Sequence, residues 1–139
     1  MNTPFTNPSL DEIRALLERV KTIAVVGLSD SPGRPSYGVA GALQNFGYRI
    51  IPINPIIDRV LGEQAYPDLR SAPEAIDLVD VFRSPEHVAG IVDECIALRL
   101  PALWLQDGVI DETAARRAEA AGIRVIMDRC IYRDYLRLC

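Results

Sequence analysis

Five short apolar runs alternate with stretches of helical periodicity, and no feature constrains the fold more tightly. The runs are Thr22–Val26, Arg49–Ile53, Leu78–Phe82, Ala102–Leu105 and Arg124–Met127. Near-continuous apolar strands separated by helices predict a parallel sheet covered on both faces. The expected class is therefore α/β, with one doubly wound, mainly parallel five-stranded sheet of Rossmann-like type. Ser9 to Glu12 is a capping box opening a first helix. A helix is expected from about Ser36 to Phe46, closed by Gly47. Pro73 is expected to open a short helical segment, and Ser84 to cap a helix with Pro85 at its first position. Further helices are expected from Asp111 to Ala121 and from Ile131 to Leu138.

In such sheets a ligand sits outside the carboxyl ends of the strands, where the strand order reverses. Those ends are Gly27, Asn54, Phe82–Arg83, Leu105–Gln106 and Asp128–Cys130. Lys21 precedes the first strand and falls on the opposite edge.

The charged residues remove several chemistries. There are 14 Arg but a single Lys, and no Gly is followed by Lys, which excludes a Walker-type phosphate loop. One histidine, His87, excludes any mechanism that needs two imidazoles. Cys95, Cys130 and Cys139 form no C-x-x-C motif, so no structural zinc site is expected, and free thiols suit a reducing cytoplasm. The net charge of −4, without a basic stripe, argues against nucleic acid. The N-terminus has no apolar signal core, and residues 1–8 are expected to be a flexible tail on a domain spanning 1–139. The longest uncharged stretch, between Arg34 and Arg49, is polar, so no membrane partner is expected.

The loop after the first strand is suited to phosphate. Gly27 permits close backbone approach, Ser29, Arg34 and Ser36 add donors, and the helix beginning near Ser36 and Tyr37 favours an anion. The spacing is not G-x-G-x-x-G, and a plain turn remains the alternative. Between Asp30 and Asp58 there is no acid to hold the ribose of NAD, and the second strand delivers Asn54 and Pro55 instead. These two either meet a ribose or base or simply start a turn. Arg83, next to Phe82, suits phosphate or is a solvated surface residue. Gln106, Asp107 and Gly108 suit a ligand with amide groups, or form a turn. Cys130 is either a small hydrophobe or a reactive thiol. Nothing accompanies His87 that would make it a catalytic base.

The series Val26-Gly27-Leu28-Ser29-Asp30, Arg34-Pro35-Ser36-Tyr37, Ile53-Asn54-Pro55, Asp80-Val81-Phe82-Arg83, Gln106-Asp107-Gly108 and Met127-Asp128-Arg129-Cys130 resembles the small CoA-binding protein family. That family is similar to the N-terminal CoA-binding domain of succinyl-CoA synthetase α subunits. The resemblance runs from about Leu10 to Leu138. It implies coenzyme A, or an acyl-CoA, along the carboxyl edge. Ser29 to Tyr37 would hold the pyrophosphate and Asn54–Pro55 would border the adenosine. Phe82 and Arg83 would line the crossing point, and Gln106 and Gly108 would meet the pantetheine arm. Where the synthetase has a basic residue after its Asn-Pro, this chain has Ile56 and Ile57, and Arg59 is the nearest cation. The ligases work through a phosphohistidine on a further domain, which this chain is expected to lack. The expected function is therefore CoA binding without catalytic machinery, alone, as a homo-oligomer or beside a larger partner. The alternatives are an NAD(P)-dependent oxidoreductase and a CoA-binding subunit of a ligase or acyltransferase.

Overall fold

A computed structural model describes residues 4–139. Ser9 accepts the Glu12 N–H at 3.2 Å and starts α1 (Leu10–Arg19), as the capping box requires. Then follow β1 (Thr22–Val26), α2 (Pro35–Phe46) and β2 (Arg49–Ile53). Gly47 ends α2 at φ 108°, a left-handed position that suits glycine. A hairpin of β3 (Arg59–Val60) and β4 (Glu63–Gln64) turns at Gly62. The remaining elements are β5 (Leu78–Val81), α3 (Val88–Ala97), β6 (Ala102–Leu105), α4 (Glu112–Ala120), β7 (Arg124–Met127) and α5 (Ile131–Leu138).

The five-stranded sheet has the order β2-β1-β5-β6-β7, and all four pairings are parallel. The chain therefore runs outward from β1 to β2, returns across it to β5, and continues to the other edge. The reversal falls between β1 and β5, and ligands of doubly wound sheets occupy that point. Alternate side chains along the strands feed two cores. Ile23, Val25, Leu78, Trp104 and Ile126 face α1, α2 and α5. Ala24, Val26, Val79, Leu103 and Val125 face α3 and α4. Trp104 is fully buried, and its Nε1–H donates to the carbonyl of Arg129 at 2.8 Å. No described helix is long and apolar enough to cross a membrane.

Three local expectations are corrected. The helical turn expected at Pro73 lies earlier, as a 3₁₀ turn over Leu69–Ser71, because Asp68 accepts the Ser71 N–H at 2.9 Å and caps it there. Beyond Pro73 the chain is irregular, and Asp77 accepts the N–H groups of Lys21 and Thr22 at 2.9 and 3.0 Å. Ser84 makes no side-chain cap. Pro85–His87 forms a 3₁₀ turn, and the α-helix begins only at Val88. Residues 1–3 of the expected tail lie outside the described residues, but its later part is tied down. The Asn7 amide donates to the Met127 carbonyl at 2.9 Å and accepts the Met127 N–H at 2.8 Å. It thus pairs with the open edge of β7, and Phe5 packs against the core beside it.

Candidate functional site

At the carboxyl ends of the strands lies a cleft of two lobes. Gly27, Ser29, Arg34, Phe82 and Arg83 are common to both. One lobe, of about 480 Å³, extends to Gln106, Asp107, Val109 and Cys130. The other, of about 490 Å³, extends to Asn54, Pro55, Ile56 and Ile57. The shared floor lies at the β1–β5 reversal.

The floor is made by close backbone approach. Gly27 has φ 84°, and a Cβ there would lie 2.5 Å from the Phe82 carbonyl oxygen. The neighbouring N–H groups are already committed: Gly27 donates to Ile53 at 2.9 Å, and Phe82 to Val26 at 2.8 Å. The loop above is shaped by two serines. The Ser29 N–H donates to Ser36 Oγ at 3.0 Å, and the Ser31 N–H to Ser29 Oγ at 3.0 Å. Arg34 is the N-cap of α2 but its side chain makes no capping bond, and Pro35 has no N–H. The positive end of α2 thus meets the cleft with no acidic group in its first turn. Arg83 lies opposite, its Nη2 3.0 Å from Nε2 of His87.

Asn54 is a strut rather than a free reader. Its Nδ2 donates to the Leu28 carbonyl at 3.0 Å, and its Oδ1 accepts the Ile56 N–H at 3.0 Å. It therefore joins the end of β2 to the loop after β1 and presents Pro55, Ile56 and Ile57 as an apolar wall. Ile56 is 87% exposed. Arg59 donates to Gly62 within the hairpin at 3.0 Å and lines neither lobe.

The far end of the first lobe is built from two interlocked turns. Gly108 (φ 76°) donates its N–H to Asp128 at 2.7 Å, and Asp128 itself has φ 60°. Asp107 is chelated by Arg133 at 2.8 and 2.9 Å, and these hydrogen bonds hold its carboxyl below the usual carboxylate range. Arg129 chelates the buried Asp134 at 2.6 and 2.9 Å. Gln106 accepts the Ile131 N–H, which fixes the start of α5 against β6.

Of the residues singled out in the sequence, Gly27, Ser29, Arg34, Ser36, Asn54, Pro55, Phe82, Arg83, Gln106 and Cys130 come together around this cleft. Tyr37 and Gly108 do not line it. Tyr37 packs on the α1–α2–α5 core, and the Gly108 N–H is taken by Asp128. Val39 and Val109 are apolar walls that the sequence reading missed. Val39 lies one turn beyond Pro35, a spacing that could have found it. Among the described residues no group of three His, Cys, Asp or Glu could hold a metal ion.

Comparison with known proteins points the same way. A family model described as a CoA binding domain matches residues 21–135. The uncharacterized protein YneT of Bacillus subtilis (strain 168) is 46% identical over 125 residues, which is 90% of this chain and 93% of that protein. A solved structure of a hypothetical protein from Pyrococcus horikoshii OT3 superimposes with a TM-score of 0.92 at 32% identity, covering 99% of this chain and 97% of that one. An ADP-forming acetate–CoA ligase of Archaeoglobus fulgidus is 29% identical over 101 residues, 71% of this chain but 15% of the ligase.

Proposed function

The chain belongs to the CoA binding domain family, and from that premise we propose that it binds coenzyme A or an acyl-CoA along the carboxyl edge of its sheet. The observation that carries the reading is the two-lobed cleft centred on Gly27 and Phe82. Its middle has the chemistry of a pyrophosphate site: Arg34 and Arg83, serine hydroxyls, and the positive end of α2. One end is apolar, with Pro55, Ile56 and Ile57 suited to an adenine ring. The other offers Gln106 beside Val39 and Val109, which suits an arm carrying amide groups.

The protein acts as a binding module in the cytoplasm, and any ligase or acyltransferase chemistry comes from a partner. The ligase relative supports the CoA reading, since the 101 residues that match this chain belong to an acetate–CoA ligase. The end of β2 argues against an NAD(P)-dependent oxidoreductase. It carries Asn54 and Pro55 where the ribose of NAD needs an acid, and the Asn54 amide is spent on the loop.

Calorimetric titration with CoA, dephospho-CoA, NAD and ATP in parallel tests the reading. CoA is expected to bind at least about tenfold more tightly than NAD, a difference of about 1.4 kcal/mol. Tighter binding of NAD than of CoA would reverse the assignment. The dephospho-CoA titration measures what the 3′-phosphate contributes in a lobe without Arg59.

A further inference from the structure

The two ends of the cleft differ in one reactive group. The lobe at Asn54–Ile57 holds no sulfur, whereas the lobe at Gln106 and Val109 holds Cys130. Cys130 is half-buried and directly precedes α5. The next residue, Ile131, donates its N–H to Gln106 Oε1 at 3.2 Å. That bond fixes the amide's orientation. Oε1 is occupied, and Nε2, which bonds to no described residue, is left as a donor on a side chain lining the lobe. Gln106 is only 5% exposed, yet its Nε2 is not sealed from solvent, so this unbonded donor opens onto the lobe that the side chain lines. Independently of the cysteine, Gln106 thus points to a ligand carbonyl beside the thiol.

We propose that Cys130 captures the thiol end of the ligand covalently, by exchange with the disulfide of coenzyme A. The proposal rests on the reading of the cleft as a CoA site. Cys130 gives up its proton to water, and its thiolate attacks one sulfur of CoA–S–S–CoA. A Cys130–S–S–CoA bond forms, the reagent's S–S bond breaks, and the second CoA leaves as a thiolate. The CoA disulfide is the only oxidant. Gln106 is a positioning residue: its Nε2 donates to a carbonyl of the pantetheine arm and holds the sulfur against Cys130. Cys139 provides the internal contrast, because it is exposed on the opposite edge, beside Lys21 and Tyr48.

Reduced protein is treated with CoA disulfide or glutathione disulfide at equal concentration, and intact mass and modified peptides are followed in time. One CoA per chain is expected on Cys130, forming at least about tenfold faster than the glutathione adduct there, as positioning in a bound complex requires. The Cys130 adduct persists in Cys139→Ser and is lost in Cys130→Ser. Gln106→Leu slows capture of CoA while leaving the glutathione rate unchanged, and equal slowing of both would remove the positioning role. Equal rates of the two reagents at Cys130, or labelling of Cys139 ahead of Cys130 by CoA disulfide, would overturn the proposal. Titration of the unmodified protein with reduced CoA separates the two layers. Binding without capture overturns only the covalent step, and absence of both overturns the CoA reading as well.

Discussion

A Cβ placed on Gly27 would stand 2.5 Å from the carbonyl oxygen of Phe82 and 2.8 Å from Cδ of Arg83. The carboxyl ends of β1 and β5 therefore close on each other over a bare backbone, and the floor of the cleft exists because residue 27 has no side chain. This contact links the strand reversal to the site: the same two strands that change direction also bring the Ser29–Arg34 loop against Arg83.

Gly27→Ala is accordingly expected to lose stability and binding together. Its φ of 84° alone costs an alanine about 1–3 kcal/mol, and the clash with backbone adds to it. Urea denaturation should show the lower midpoint. Gly33→Ala is the control, since nothing lies within 4 Å of its Cβ, and its change should stay within about 0.5 kcal/mol.

Arg83→Gln removes a guanidinium from the centre of both lobes. A charge-assisted hydrogen bond contributes about 1.5–3 kcal/mol, so CoA affinity should fall by roughly 10- to 100-fold. The remaining affinity should depend less on salt. Arg83→Lys restores only part of it, because an ammonium lacks the planar fork. An unchanged Kd for Arg83→Gln would move the phosphate away from this residue.

Asp80 makes stability fall with pH. It is fully buried in β5, flanked in register by Val25 and Trp104, with no hydrogen bond to either carboxyl oxygen among the described residues. Desolvation pushes its carboxyl well above the usual range. Above the unfolded-state pKa of about 3.9, the folded chain keeps a proton that the unfolded chain releases. Stability is thus fully present below that pH and declines as pH rises toward the folded pKa, by at most about 1.4 kcal/mol per unit. Asp80→Asn should flatten this slope, so the variant gains relative to the parent between pH 4 and pH 8. Parallel slopes in urea denaturation across that range would refute it.

The two chelated arginines near α5 are expected to differ sharply. Arg129→Met leaves Asp134, 1% exposed, as a buried charge without its partner, at a cost of about 3–5 kcal/mol. Arg133→Met breaks an exposed pair with Asp107 and should cost less than about 1 kcal/mol. Thermal denaturation of both variants measures the contrast.

Much of this was legible in the sequence because it depends on local pattern. The apolar runs located all five sheet strands, and the glycine at the end of the first marked the floor of the cleft. What was missed depends on pairing at long range. Asn7 and Met127 are 120 residues apart, so nothing near Pro4 or Pro8 signals that the segment is fastened to β7. Asp68 outcompetes Pro73 for the turn only because its carboxylate reaches Ser71. Tyr37 and Gly108 sit at motif positions beside the cleft, yet packing on the core claims one and Asp128 claims the N–H of the other. Asn54 shows the same limit: its place in the motif was readable, but its bond to Leu28 was not.

The central claim is a location, and hydrogen exchange with and without CoA tests it most directly. The account predicts slower exchange in residues 27–37, 54–57, 82–87, 106–109 and 128–131, the segments that converge on the cleft. The opposite edge, at Leu17–Lys21, Tyr48 and Cys139, should not change. Protection at that edge, or CoA binding that leaves 27–37 and 82–87 unprotected, would contradict it.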